Sequence, residues 1–111
     1  MTGHLYAPLR RVRKLRERVI ERYLHQQVTA HGGTTRKMKG RKNDCDRLVI
    51  WRGLLPFGKA LVHFVETKAP GKKARAGQER EHARLRSYGC AVQVLDTKQK
   101  VDNYVRQWRV N

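Results

Sequence analysis

Glu66 and Lys68 stand two residues apart in the stretch Val65-Glu66-Thr67-Lys68, at the end of the largely apolar run Lys59 to Lys68 (KALVHFVETK). Alternate side chains of an extended strand share a face, so this carboxylate and ammonium would project together, held by a sheet and still reaching solvent. Asp46 directly precedes a second apolar run, Arg47 to Trp51 (RLVIW). If the two runs pair antiparallel, the start of one lies beside the end of the other and Asp46 faces Glu66. Two carboxylates brought together on so basic a chain are costly unless a cation sits between them. Hard oxygen donors suit Mg2+ or Mn2+. Glu17 and Glu21 are four residues apart in a helical pattern, hence neighbours on one helix face, and either would close the site from above the sheet. Phosphodiester hydrolysis needs an activated water and a neutralised phosphate, and a divalent cation supplies both. Lys68 would orient the water or stabilise charge growing on the phosphate. Gln78, at the start of a later helical stretch, would position a water or a ligand. Taken singly, each residue has an ordinary explanation: Glu-x-Lys is common on solvated strands, and helix acids often balance arginines such as Arg13, Arg18 and Arg22.

Composition favours the chemical reading. The chain has 111 residues, with 26 Lys and Arg against 9 Asp and Glu, for a net charge of +17. A field that positive attracts polyanions over long range, and nucleic acid is the expected partner through phosphate neutralisation. An anionic membrane is the competing partner, but no apolar run approaches spanning length and no signal peptide is visible. With acids so scarce, a set of them at suggestive spacings carries weight. Cys45 and Cys90 form neither a metal-knuckle spacing nor a disulfide framework, which suits a reducing, intracellular setting. The length fits one compact domain whose core is modest.

The elements that must position these residues follow from periodicity. Residues 1–12 lack a clear pattern and read as a basic arm, leaving residues 13–111 as the domain. From Arg13 to His31 the pattern is helical, with Leu15, Val19, Tyr23, Ile20, Leu24 and Val28 on the apolar side and Gly32-Gly33 as the stop. Thr34 to Lys39 reads as a short strand. Arg47 to Trp51 and Lys59 to Lys68 read as strands buried on both faces. Gln78 to Tyr88 reads as a helix stopped by Gly89, Cys90 to Leu95 as a strand, and Lys98 to Trp108 as a last helix with Val101, Tyr104, Val105 and Trp108 on one side. The fold class is α/β in the order αβββαβα, a mixed sheet flanked by helices. His63 falls on the strand face opposite Glu66 and reads as a packed core histidine.

In its order of motifs the chain resembles the VRR-NUC (virus-type replication-repair nuclease) branch of the PD-(D/E)xK superfamily, in its compact phage-type form. The resemblance runs from Arg16 to Val105. It rests on a helical Glu (Glu17), a turn ending in Asp (Asp46), a strand ending Glu-x-Lys (Glu66, Lys68), a Gln on the next helix (Gln78) and a Gly before the next strand (Gly89), with Gly33 after the first helix. The spacing also resembles phage junction-resolving endonucleases, in which the helical Glu lies seven residues before a Leu, as Glu17 does before Leu24. That places Glu17 above Glu21. Relatives usually carry Pro before the metal-binding Asp, where this chain has Cys45 after Asp44. Asp46 fits the strand register better than Asp44.

The resemblance implies a restriction-endonuclease-like core and a Mg2+- or Mn2+-dependent endodeoxyribonuclease. Glu17, Asp46 and Glu66 would bind the metal, and Lys68 and Gln78 would complete the catalytic set. It implies branched DNA, a four-way (Holliday) junction, cut by a homodimer in the cytoplasm of a bacterial host. Flap cleavage or nicking on the same fold, and a non-catalytic basic nucleic-acid binder, are the alternatives. Two basic clusters flank the proposed site in sequence and are expected to track phosphates: Arg36, Lys37, Lys39, Arg41 and Lys42 before it, and Lys72, Lys73 and Arg75 after it. The connection Gly53 to Gly58 is unusually apolar for a surface turn. Such a patch needs a cover, which could be the chain's own C-terminal helix with Trp108, a second subunit or the bases of an opened junction; the hypothesis taken forward is that Leu54, Leu55 and Phe57 contribute to self-association.

Overall fold

The computed structural model describes residues 3–53 and 61–109, and of residues 3–10 the backbone alone. It consists of α1 (Gly3–Ala30), β1 (Gly33–Lys37), β2 (Arg47–Trp51), β3 (Leu61–Thr67), α2 (Ala76–Ser87), β4 (Ala91–Leu95) and α3 (Lys98–Trp108). This is the expected order αβββαβα. The strands form one mixed sheet in the order β1-β2-β3-β4. β1 and β3 both pair antiparallel with β2, and β3 pairs parallel with β4. A parallel neighbour requires a crossover, and α2 supplies it.

One face of the sheet carries the core. Ile20, Leu24 and Val28 recur every fourth residue on α1 and meet Val101, Tyr104 and Val105 of α3 over Val49, Trp51, Val65 and Leu95. That spacing is the stripe a helix presents to a flat partner. Within the core, Trp51 Nε1 donates to the Tyr104 hydroxyl at 3.0 Å. The Tyr104 oxygen lies 2.7 Å from His63 Nδ1. Burial lowers the His63 pKa and keeps the ring neutral. His63 is thus a buried, hydrogen-bonded histidine, as its strand face implied.

Three expectations need correction. α1 begins at Gly3 rather than Arg13, so the stretch read as a basic arm is helical from residue 3. Leu15 and Val19, placed on the apolar face, are 53% and 48% exposed, and Val12 is 42% exposed. Length accounts for the far end, since a helix of 28 residues spans about 42 Å and a strand of 7 residues about 23 Å; Val19, beside the buried Ile20, is exposed because it points about 100° round the helix from the core stripe. The strands β2 and β3 are not buried on both faces. Leu48, Ile50 and Phe64 are half-buried and Val62 is exposed, because α2 packs chiefly against β4. Leu54, Leu55 and Phe57 lie outside the described residues. Among the described residues, no helix is long and apolar enough to cross a membrane.

The turn from α1 into β1 depends on glycine twice. Gly32 has φ +93°, in the left-handed region that stops helices. At Gly33 an added Cβ would lie 2.6 Å from Val28 Cγ1 and 2.9 Å from Trp51 Cε3, both in the core.

Candidate metal centre

Glu66 is the penultimate residue of β3, and Arg47 of β2 stands opposite Val65. One step further along this antiparallel register brings Asp46 beside Glu66. Asp46 is fixed there by β3 itself: its Oδ2 accepts from the Thr67 backbone N–H at 2.8 Å and from the Thr67 hydroxyl at 3.0 Å. Glu17 reaches the same point from α1. Ligand oxygens of Glu17, Asp46 and Glu66 all lie within 4.8 Å of one another.

The electrostatics of this group are those of carboxylates short of a counter-charge. Glu66 is 1% exposed, and its Oε1 has no hydrogen-bond partner among the described residues. Burial, then the charge of Asp46 and a hydrogen bond to it, push the Glu66 carboxyl up to about 8; Glu17 adds to this and Lys68 opposes it. Burial and the neighbouring Asp46 also raise Glu17. Lys68 Nζ is 3.9 Å from Glu66 Oε2, too far for a hydrogen bond. A divalent cation between the three carboxylates would remove their mutual repulsion. The all-oxygen donor set fits Mg2+ or Mn2+.

Lys68 is held by α2. Its Nζ donates to Gln78 Oε1 at 2.8 Å, and the same oxygen accepts from the Arg75 backbone N–H at 3.0 Å. Gln78 is the third residue of α2 and closes back on the residue that caps it, half of a capping box. One buried side chain thus fixes both the helix start and the ammonium.

The two alternative acids are otherwise engaged. Glu21 pairs with Arg47 Nε at 3.0 Å and Lys37 Nζ at 3.4 Å. Asp44 Oδ2 accepts the Arg41 backbone N–H at 2.6 Å, closing the turn before β2, although Asp44 also borders the cleft into which the carboxylates open.

That cleft has a volume of about 490 Å3, and its walls include Arg13, Lys14, Lys42 and Arg75. Lys42 and Arg75 belong to the two basic clusters expected to flank the site. Lys72 and Lys73 line a different cleft, of about 640 Å3, together with His82. Arg36 donates to Thr34 and Thr35, Lys37 pairs with Glu21, and Arg41 pairs with Asp44 and Glu81. Lys39 is exposed. The basic residues grouped by sequence are therefore dispersed over several surfaces.

No protein-family model matches the sequence. A phage protein named as a candidate nuclease, p44 of Acyrthosiphon pisum secondary endosymbiont phage 1, is 45% identical over 89 residues, covering 78% of this chain and 89% of that protein. A solved VRR_NUC domain superimposes with a TM-score of 0.67 at 32% identity, covering 82% of this chain and 95% of the domain. The chain belongs to the VRR-NUC family. Within this VRR-NUC fold, several residues at the centre are not evident from the sequence. Arg13 and Lys14 precede Glu17 by four and three residues, the spacing that puts them on its helix face. Thr67 was hidden by lying between the two expected site residues. Cys45 and His82 are buried behind the carboxylates, where periodicity gives no warning. Burial pushes the Cys45 thiol up to about 12, with the negative charges of Glu66 and Asp46 adding to it.

Proposed function

We propose that this VRR-NUC protein hydrolyses phosphodiester bonds in DNA, with Glu17, Asp46 and Glu66 holding a Mg2+ or Mn2+ ion. The observation that carries this reading is the meeting of three carboxylates in a basic-walled cleft on a chain of net charge +17. When bound, the ion supplies Lewis acidity toward the phosphate and makes a nearby water more acidic. The protein's own groups do the rest. Asp46, braced by Thr67, and Glu66, fixed in β3, set where the cation sits relative to the sheet. Lys68, anchored through Gln78, places its ammonium where charge accumulates on the scissile phosphate. Arg13, Lys14, Lys42 and Arg75 hold the flanking backbone by its phosphates, which fixes the register of cutting without reading bases.

The substrate we favour is a four-way junction, cut by a homodimer in the cytoplasm of a bacterial host. Two matched nicks require two active sites related by a two-fold axis. The exposed Val12, Leu15 and Val19 recur at helical spacing on one side of α1 and support self-association, since such a stripe is normally covered. The experiment is a panel of junction, flap, duplex and single-stranded DNA with and without Mg2+ or Mn2+. Paired metal-dependent nicks in the junction support the reading. Preferred cutting of flaps or single nicks reassigns the substrate, and metal-independent binding without cleavage makes the protein a binder.

A further inference from the structure

Glu66 meets α2 as well as the carboxylate cluster. Its Oε1 lies 3.7 Å from His82 Nε2. Both atoms are buried and neither has a hydrogen-bond partner among the described residues. His82 is 2% exposed, Glu66 1% and Cys45 2%. Two buried polar atoms facing each other unbonded are unusual in a folded protein, and each such case wants an explanation. Here the third side chain of the group supplies it. One ligand atom each from Cys45, Glu66 and His82 lies within 4.8 Å of the other two.

We propose that Cys45, Glu66 and His82 form a second metal site, of thiolate, carboxylate and imidazole donors, that takes Zn2+. Zinc of tetrahedral geometry, with bonds of roughly 2.0–2.3 Å, places its ligand atoms about 3.3–3.8 Å apart. For an oxygen–nitrogen pair, with bonds of about 2.0–2.2 Å, the separation is about 3.3–3.5 Å, so the observed 3.7 Å between Glu66 and His82 requires a small inward shift on binding. The donor set separates the two sites chemically. Sulfur and imidazole suit Zn2+, whereas the oxygen ligands of Asp46 and Glu17 suit Mg2+. Binding converts the Cys45 thiol to a thiolate and releases its proton to solvent. On a chain of +17 a cation needs local negative charge; Asp44, Asp46 and Glu81 supply it around Cys45, against the positive charges of Arg86 and Lys68 near His82. His82 also borders the cleft of about 640 Å3.

The three ligands come from the segment before β2, from β3 and from α2, so the ion would staple three separate parts of the chain. Small domains gain most from such a staple. Glu66 belongs to both sites, so filling one changes the affinity of the other, reciprocally.

The site is tested on metal-free full-length protein without DNA, which keeps its outcome separate from the nuclease reading. Co2+ is titrated in as a spectroscopic stand-in for Zn2+. The expected result is a thiolate-to-cobalt charge-transfer band that saturates at one equivalent and is bleached by Zn2+. The band should survive Cys90→Ser and Glu17→Ala and vanish in Cys45→Ser. Zn2+ affinity should fall at least roughly 100-fold in His82→Gln, since losing a ligand costs no less than losing the group that orients one. Zn2+ should also raise the thermal midpoint of the wild type and not of His82→Gln. Absence of the band in wild type overturns the site, and so does its loss in Cys90→Ser or its persistence in a folded Cys45→Ser. If Cys45→Ser does not fold, the Cys90→Ser spectrum decides alone.

Discussion

Asp46 Oδ2 takes two hydrogen bonds from Thr67, one from the backbone and one from the hydroxyl, at 2.8 and 3.0 Å. A strand-end carboxylate is thereby tied to the strand that carries Glu66. Groups that orient a metal ligand typically contribute about 10–100-fold in metal affinity or activity. We expect Thr67→Val, which keeps the shape and removes the hydroxyl, to weaken Mg2+ or Mn2+ binding about 10-fold, and Thr67→Ser to restore it. Calorimetric titration of the three proteins checks this. Equal affinities would mean that the backbone bond alone suffices.

Metal binding should depend on pH through Glu66. Its carboxyl is pushed up from an ordinary 4.5 to about 8 in the fold. The fold therefore favours the protonated form. The stabilisation this gives is complete below about 4.5 and is lost as pH rises through about 8. A cation needs the deprotonated form, so below that point binding displaces a proton. Apparent Mg2+ affinity should rise with pH and level off near 8. Calorimetry in buffers of different ionisation enthalpy should count a proton released at neutral pH. An affinity flat from about pH 6 to about 8 would contradict this.

Much of this arrangement was legible in the chain. β2 and α3 have the bounds their patterns implied, Arg47–Trp51 and Lys98–Trp108. The meeting of Asp46 with Glu66 follows from two rules, alternation along a strand and antiparallel pairing. What the sequence did not reveal depends on where whole elements sit. The Lys68–Gln78 bond requires the start of α2 to lie against the end of β3. The exposure of Leu15 and Val19 depends on which side of α1 meets the sheet and on how far α1 runs past it, and the apolar pattern of α1 encodes neither. The dispersal of the basic clusters has the same origin, since near neighbours such as Lys73 and Arg75 line different clefts.

That dispersal gives a prediction for DNA binding. The combined Arg13, Lys42 and Arg75 alanine mutant removes three exposed cations around the carboxylate cleft. It should weaken binding and lower the slope of log affinity against log salt by about 0.9 for each duplex phosphate that is no longer neutralised. The Lys72, Lys73 alanine pair, facing the other cleft, should change the slope less. The reverse ranking would move the DNA to the second cleft.

Stability should be sensitive at Gly33. A Cβ there would come within 2.6 Å of Val28 and 2.9 Å of Trp51, both fully buried and unable to yield. Gly33→Ala should cost about 1–3 kcal/mol, the usual range for overpacking a core, measured by urea unfolding. A cost near zero would show that β1 shifts freely against α1.

The most direct test is cleavage of labelled four-way junction DNA in Mg2+ by Asp46→Asn and Glu66→Gln, with DNA affinity measured alongside. Both substitutions keep the side-chain shape and remove the charge that a cation needs. The expected result is loss of nearly all cleavage in each, at least about 100-fold, with affinity close to wild type because binding rests on the distributed basic residues. Cleavage at the wild-type rate by a folded Asp46→Asn or Glu66→Gln protein would contradict the assignment of the metal to these carboxylates.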